Sequence, residues 1–417
     1  MMSRFLNYLA RNKVQIILVM GLSIISLFLC VLALTNSFVF KAQIKDLKKI
    51  FQTDTDKIGV LNFSYVKDEN RFGDDINEIK NIIRKDYGFI CGAYTESYIY
   101  FEELWNNKVY LECNEEEYKG TFYEEYLSLS DVIMVDPEMM DIVDCGILKE
   151  DLLPITIGDE LYYPIYVGSD FKHIIEIDDV LTSDTFGTKY IVKGYIEDTI
   201  WFSYYDPIEF PASPMKHKFI APFGNEERTD SMTQLSTVNQ IFIKGNVLKE
   251  SDIRQIEKLA SQKDIKISIS TIEEKIQQFK VDNMEIMRNQ YSFAIVVMIC
   301  SMISISSLFC AFILMRIKEY GIRLAFGESK ERLICTMVGR HLVYISIAML
   351  IVILFAKKYF DATVLGEFSQ LYNKSLVGYA FPITILVSIL YTLISLIPPI
   401  IMINRMELVQ LVKEEEI

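Results

Sequence analysis

The sequence contains few of the residues from which metal sites and catalytic centres are usually built. Its 417 residues include three histidines and seven cysteines, and their spacing is not that of a metal site. It has no G-x-x-x-x-G-K-[ST] phosphate loop, no G-x-S-x-G element and no H-E-x-x-H helix. These absences argue against a nucleotide hydrolase, a serine esterase or a zinc peptidase. We therefore expect a chain that is not an enzyme and binds no cofactor of its own.

The cysteines form no disulfide framework. Cys91, Cys113 and Cys145 share the long polar part of the chain. Because three is an odd number, one bridge at most could form there and would leave one thiol over. The sequence favours the alternative, in which all three are reduced and buried.

Positive charge is scarce in one part of the chain only. Between Lys41 and Gln290 there are 28 basic and 47 acidic residues, and the remainder has 14 and 9. Such acidity mainly confers solubility. It argues against nucleic acid as a partner, because nucleic acid requires a basic surface.

Four apolar segments are long enough to cross a bilayer, which takes about 20 residues. They are 14–36, 291–315, 334–356 and 379–403. No charge lies at the middle of any of them, which argues against the ion pathway of a secondary transporter. The first segment could instead be a signal peptide. Its apolar run is longer than the roughly 7–15 residues of such peptides, so we expect a retained anchor.

Basic residues indicate how these segments are oriented. Lysine and arginine are enriched in the flanks 1–13, 316–333 and 404–417, which we therefore expect on the cytoplasmic side. The stretch 37–290 and the short loop 357–378 then lie outside the cytoplasm. The expected fold class is an α+β membrane protein of the cell membrane. It has four transmembrane helices and a large mixed α/β extracytoplasmic domain between helices 1 and 2, carried on helical stalks.

The polar stretch alternates strand and helix signals. Expected strands are 59–66, 98–101, 109–113, 240–244 and 265–269, and expected helices are 74–85, 137–145 and 249–260. The last strand, helix and strand form a βαβ pattern. Residues 154–223 suggest a mostly β insertion. Segments 38–51 and 272–289 have apolar residues at helical spacing and predict the stalks; helices lying flat on the membrane are the alternative.

The most informative segment joins the second and third apolar stretches. Residues 316–340 read RIKEYGIRLAFGESKERLICTMVGR. A basic loop that only fixes topology would explain the charges, but not the apolar Tyr320, Ile322, Leu324 and Phe326. An exposed apolar cluster usually marks a contact surface. Gly321 and Gly327 predict breaks in the helix, and Ser329 predicts the cap of the next one.

These residues resemble the signature of FtsX-like permeases, the membrane subunits of MacB-type ABC transporters. The resemblance is carried by Arg316, Glu319, Gly321, Ile322, Arg323, Ala325, Phe326, Gly327 and Ser329. Residues 157–161 and 190–195 are similar to elements of MacB-like outer domains. The ending around Pro398, Pro399 and Arg405 is similar to the end of the family's chains.

The resemblance implies that a cytosolic ABC ATPase, which binds the ATP, grips a coupling segment. That segment would consist of Arg316, Glu319, Tyr320, Gly321, Ile322, Arg323, Leu324, Ala325, Phe326 and Gly327. It also implies a second permease, identical or paralogous, beside this one in the lipid bilayer. Closure of the ATPases would then move the outer domains, which is mechanotransmission.

The resemblance further implies export of, or resistance to, peptides, antibiotics or lipid-linked molecules. The alternatives are an FtsX-like regulator of a cell-wall hydrolase and a membrane sensor that transports nothing. Replacing Gly321 or Phe326 with Asp is expected to weaken ATPase binding without misfolding the chain.

Overall fold

A computed structural model of the chain describes most of the sequence. The described residues are 13–51, 53–66, 72–119, 122–184, 187–196, 199–201, 213–224, 241–364 and 368–405. The predicted cytoplasmic ends, 1–13 and 404–417, lie almost wholly outside them.

The chain divides into two compact units. The sheet unit is mainly Lys41–Asp282, and the helical unit comprises the stretches up to Phe40, Asn283–Val364 and Ser369 onward. Two helices, α1 (Lys13–Ile50) and α5 (Ile272–Met315), contribute residues to both units. Each unit is described by itself below.

The other helices in the described residues are shorter than α1 and α5. They are α2 (Phe72–Asp86), α3 (Lys108–Tyr118), α4 (Glu250–Gln262), α6 (Ile317–Ala325), α7 (Lys330–Thr363), α8 (Phe368–Ser375) and α9 (Phe381–Arg405). Four helical stretches are long and apolar enough to cross a membrane: Ile16–Ile50, Ile272–Met315, Lys330–Thr363 and Leu371–Arg405. The protein is thus a mixed α/β chain with four long apolar helices and a sheet domain.

The strands in the described residues number twelve in chain order. They are β1 (Ile58–Val66), β2 (Ile90–Tyr100), β3 (Leu129–Val135), β4 (Ile155–Ile157), β5 (Glu160–Gly168), β6 (Val180–Thr182), β7 (Lys189–Ile196), β8 (Ile200–Trp201), β9 (Ser213–Pro214), β10 (Phe219–Pro222), β11 (Ile241–Lys244) and β12 (Ile265–Thr271). Ten of these described strands form one sheet in the order β12-β1-β11-β2-β3-β10-β5-β7-β6, with β4 paired to β5.

The predicted βαβ pattern is present in a split form. β11 and β12 are both antiparallel to β1 and lie on either side of it, so they run parallel to each other with β1 between them. The amphipathic helix α4 connects them. Alternating burial along β12 shows that only one of its faces is packed.

Both faces of the central strands are covered. On one face, α2 and α4 pack isoleucines such as Ile79, Ile83 and Ile256 against the sheet. On the other face, Leu47 and Ile50 of α1 join Ile276 of α5 in a second apolar cluster. The stalk segments 38–51 and 272–289 are therefore helical, as predicted. The ends of both segments that belong to the sheet unit pack on the sheet, and their orientation relative to a membrane stays a prediction.

Most predicted elements are confirmed and three are wrong. The predictions 59–66, 74–85, 249–260 and 265–269 correspond to β1, α2, α4 and β12, and 98–101 is the end of the longer β2. Residue 240 of the strand predicted at 240–244 lies outside the described residues. The expected insertion 154–223 is β-rich where described, but β10 pairs with β3, so it extends the same sheet.

The strand predicted at 109–113 is instead part of helix α3. The side chain of Asn107 accepts hydrogen bonds from the backbone N–H groups of Val109 (3.1 Å) and Tyr110 (3.2 Å) and so caps the helix. Tyr110 and Asn114, one turn apart, are both fully buried. Capping and packing thus override the β propensity of the apolar residues.

Two other predictions fail. The helix predicted at 137–145 is reduced to a 3₁₀ turn at Pro137–Asp141, and the positive φ of Gly146 (74°) turns the chain just beyond. The loop predicted at 357–378 is largely helical where described, because α7 extends to Thr363 and α8 continues through a π-helical turn at Leu376–Ala380 into α9.

Candidate functional site

The predicted coupling segment forms an elbow between two long helices, defined here as residues 316–329. α5 ends at Met315, and Arg316 leaves the helical conformation with φ −117° and ψ 20°. The short helix α6 follows, and α7 begins at Lys330. The Ser329 side chain accepts a hydrogen bond from the backbone N–H of Arg332 at 3.3 Å, which confirms the predicted cap of α7.

One of the two predicted glycine breaks is correct. Gly327 has a φ of 90°, a left-handed conformation that glycine adopts without strain. Its N–H donates to Leu324 O, and the N–H of Glu328 donates to Arg323 O, both at 3.0 Å, so the end of α6 is satisfied. The break predicted at Gly321 is wrong, because Gly321 lies inside α6 and is buried.

The apolar residues of the elbow point in two directions. Ile322 is 58% exposed and Phe326 is 89% exposed. Tyr320 instead packs against the apolar cluster of the helical unit, and Leu324 is half-buried. The expectation of four exposed apolar side chains is therefore correct for two of them. An exposed aromatic side chain next to an exposed isoleucine is an uncovered apolar patch.

Charged residues hold α6 in one conformation. Glu319 Oε1 lies 2.6 Å from a guanidinium nitrogen of Arg323, one turn further along, and Glu319 Oε2 lies 3.9 Å from Arg316. At the other side of the elbow, Lys330 Nζ donates to the carbonyl oxygen of Asn404 at 2.9 Å. This bond ties the start of α7 to the end of α9.

A small cavity lies beneath the elbow, between α5, α6 and α7. Its volume is about 30 Å³, and it is lined by Arg316, Glu319, Arg323 and Arg340 together with apolar side chains. This volume suits one or two water molecules. The arrangement therefore offers a group of charged side chains and, separately, an exposed apolar patch. Ala325 is exposed beside that patch.

The two outer-domain segments that resemble MacB-like chains are neighbours in the sheet. Residues 157–161 form a tight turn between β4 and β5, in which Gly158 has a φ of 64°. Residues 190–195 lie in β7, which pairs in parallel with β5. No pattern in the sequence predicted that pairing.

Sequence reasoning missed a polar cluster inside the helical unit. Ser26 of α1, Ser301 of α5 and Tyr391 of α9 are all buried and meet around the Ser301 hydroxyl. The signal in the sequence that could have revealed this cluster was the presence of hydroxyl side chains inside otherwise apolar segments. Such side chains join helices by hydrogen bonds where water is absent.

The comparisons with known proteins bear on the part of the chain that contains the elbow. Residues 291–408 match the model of the family described as FtsX-like permease C-terminal. No curated protein matches the chain. The matched stretch covers the apolar part of α5, the elbow, and α7 to α9. The match confirms the resemblance that the elbow residues indicated: residues 291–408 of this chain are similar to the C-terminal part of FtsX-like permeases.

Proposed function

We propose that this chain is the permease subunit of a MacB-type ABC transporter. A separate cytosolic ATPase binds and hydrolyses ATP, grips the elbow and thereby moves the sheet unit, which lies outside the cytoplasm. The observation that carries the proposal is the exposure of Phe326 and Ile322 on a short, capped helix between two long apolar helices.

Phe326 and Ile322 have the properties of an interface anchor. A large aromatic residue that becomes buried in a partner's pocket commonly dominates the binding energy of an interface. Burial of each side chain contributes about 1.5–3 kcal/mol. The neighbouring Lys318 is exposed and provides a charged rim that suits an acidic groove.

The elbow is built to transmit force. Its helix is closed at Gly327 by backbone hydrogen bonds, and the Glu319–Arg323 pair braces one turn. In this proposal, force applied to α6 is passed on to the ends of α5 and α7. α5 is one uninterrupted helix from Ile272, in the core of the sheet unit, to Met315 at the elbow.

In this proposal two permeases, identical or paralogous, stand side by side, each on an ATPase subunit. Closure of the ATPases moves the elbows together, and α1 and α5 carry the movement to the sheet units. The work done there is export of, or resistance to, peptides, antibiotics or lipid-linked molecules. A stiff helical link fits a mechanism in which the substrate acts on the sheet unit and does not cross the bilayer.

The test is a pull-down of the tagged full chain in mild detergent, with mass spectrometry of the proteins that accompany it. Phe326→Asp should lower recovery of the ATPase by roughly tenfold or more, since a charge replaces the anchor. Phe326→Leu keeps an apolar side chain and should retain most binding. Val247→Asp, at a 62% exposed apolar residue of the sheet unit, is the control for an added surface charge.

Two outcomes would contradict the proposal: no nucleotide-hydrolysing protein accompanies the wild-type chain, or Phe326→Asp recovers it undiminished. A third arm tests orientation. Lys318 is exposed in the elbow, so a membrane-impermeant thiol reagent should label a Lys318→Cys variant at that position in lysed cells and not in intact ones. Gly321→Asp is unsuitable as a test, because Gly321 is buried and a carboxylate there would disturb α6 itself.

A further inference from the structure

A cysteine, a histidine and an asparagine meet in the sheet unit. Cys113 and Asn114 lie on α3, and His217 ends a 3₁₀ turn, Met215–His217, just before β10. Asn114 is fully buried and His217 is 6% exposed. Cys113 is half-buried and forms no disulfide. The three side chains thus place a half-buried thiol near a buried imidazole.

Hydrogen bonds fix the tautomer of His217. The Asn114 side-chain amide donates to the backbone oxygen of Leu127 at 2.7 Å, so its Oδ1 faces the other way. That oxygen lies 2.8 Å from His217 Nε2. An amide oxygen can only accept, so Nε2 carries the proton and the lone pair is on Nδ1.

The Cys113 thiol and the Asp170 carboxylate both lie near His217 Nδ1. Nδ1 lies 4.0 Å from Cys113 Sγ and 3.5 Å from Asp170 Oδ2. Burial lowers the pKa of His217, and Glu117, Asp170 and Asp131 offset this only in part. Of the nearby cations, Lys216 pairs with Asp170 at 3.5 Å, and Lys218 pairs with Asp131 at 2.9 Å. The imidazole is therefore a neutral base at neutral pH.

We propose that Cys113 is a nucleophilic thiol that exchanges with small-molecule disulfides, with His217 as its base. Cys113 Sγ attacks one sulfur of R–S–S–R, a bond forms between these two sulfurs, and the original S–S bond breaks. The Cys113 proton moves to His217 Nδ1 and then to the departing thiolate, which leaves as R–SH. The disulfide itself is the oxidant. Asp170 stabilises the transient imidazolium.

The same domain contains thiols that lack this arrangement. Cys91 and Cys145 are buried, and desolvation raises the pKa of each to about 11. A thiol with so high a pKa is a thiolate only rarely and reacts slowly. Modification should therefore be selective for Cys113 while the domain is folded. The proposal is independent of any ATPase partner.

The test uses the full chain in mild detergent and 4,4′-dithiodipyridine, an uncharged aromatic disulfide, with mass spectrometry to follow each cysteine separately. Between pH 6.5 and 8.0 an ordinary thiol with a pKa of about 8.5 should react roughly 25-fold faster at the higher pH. A short unstructured peptide with a single cysteine, treated in the same way, serves as that reference. Cys113 should change less than about threefold and should react about tenfold faster than this reference peptide at pH 6.5.

His217→Gln should make the Cys113 rate fall about tenfold at pH 6.5 and follow the steeper profile of the reference peptide. Continued protection of Cys91 and Cys145 shows that the variant is folded. If that protection is lost, Asp170→Asn replaces it as the test, because it keeps the buried imidazole and should slow Cys113 severalfold. An unchanged Cys113 rate in a folded variant, or a wild-type Cys113 slower than the reference peptide at both pH values, would overturn the proposal.

Discussion

The Ser26 hydroxyl lies 2.7 Å from the Ser301 hydroxyl, and both side chains are buried in the helical unit. The Tyr391 hydroxyl donates to the same Ser301 oxygen at 3.0 Å. One serine therefore joins α1, α5 and α9, three of the four long apolar helices. Within this unit these hydrogen bonds require one relative position of the three helices, which apolar packing alone does not.

Replacement of Ser301 with alanine should destabilise the helical unit. The change removes a shared hydrogen-bond partner from Ser26 and Tyr391, at a cost on the order of 1 kcal/mol. The melting temperature of the detergent-solubilised chain should fall measurably. The control is Ser304→Ala, because Ser304 is exposed and donates only to the Cys300 carbonyl of its own helix. Equal melting temperatures for the two variants would refute the role of Ser301.

A buried charge cluster in the sheet unit should be far more sensitive than a surface pair. Lys218 Nζ lies 2.9 Å from Asp131 and 3.4 Å from Glu96, and all three side chains are less than a tenth exposed. Lys218→Met leaves two carboxylates buried without their cation and should cost about 3–5 kcal/mol in the free energy of unfolding.

The matched control for Lys218 is Lys189→Met. Lys189 pairs with Glu160 at 2.7 Å on the surface, where water compensates for a lost ion pair. Urea unfolding followed by tryptophan fluorescence compares the two variants. A Lys189→Met variant that loses as much stability as Lys218→Met would show that burial of the cluster is unimportant.

His217 should make the stability of the sheet unit depend on pH. Burial holds the pKa of His217 below its ordinary value of 6.5 in the folded protein, so the unfolded chain takes up a proton first. The free energy of unfolding should therefore fall as the pH decreases from about 6.5 towards the folded pKa. His217→Gln should remove this part of the pH dependence, while His173 and His341 remain in both chains. If the melting temperatures of the wild-type chain and of His217→Gln changed equally between pH 7.5 and 5.5, this prediction would be contradicted.

Gly168 should tolerate no side chain. A methyl group there would overlap the backbone carbonyl of Lys216, which cannot move aside without shifting the turn before β10. Gly168→Ala should cost about 1–3 kcal/mol. At Gly194, on the adjacent β7, a methyl group would instead meet the Tyr166 ring at 3.1 Å. A side chain can rotate, so Gly194→Ala should lose less stability; the reverse order would contradict the argument.

The sequence correctly predicted the elements in which apolar residues recur at a regular spacing within a short stretch. α2 has Ile76, Ile79 and Ile83 at helical spacing, and all three are buried. α3 was predicted to be a strand because Val109, Tyr110 and Leu111 favour strands by type, while the deciding cap, Asn107, is one polar residue among several. Strand order could not be predicted, since it depends on pairings such as β3 with β10 between distant parts of the chain.

The position of the elbow in the chain was predicted from the sequence, but the directions of its side chains were not. The elbow residues carried their own motif, but the sequence could not show which apolar side chains face outward, and Tyr320 faces inward. Gly321 was interpreted as a break because glycine weakens helices, whereas the structure places it inside α6 and buries it. Cys113 and His217 are 104 positions apart, and no local pattern connects them.

The first and last strands of the sheet unit in chain order, β1 and β12, are neighbours in the sheet. Gly59, near the start of β1, pairs with Thr271 at the end of β12, directly before α5 begins. If the two helices at this corner were pulled apart, the β1–β12 ladder would unzip one hydrogen-bonded rung after another, the mode in which a sheet resists least. If both helices were drawn in the same direction, the two strands would move together and the ladder would carry little load. The β1–β12 ladder should therefore survive concerted motion of these two helices far better than their separation.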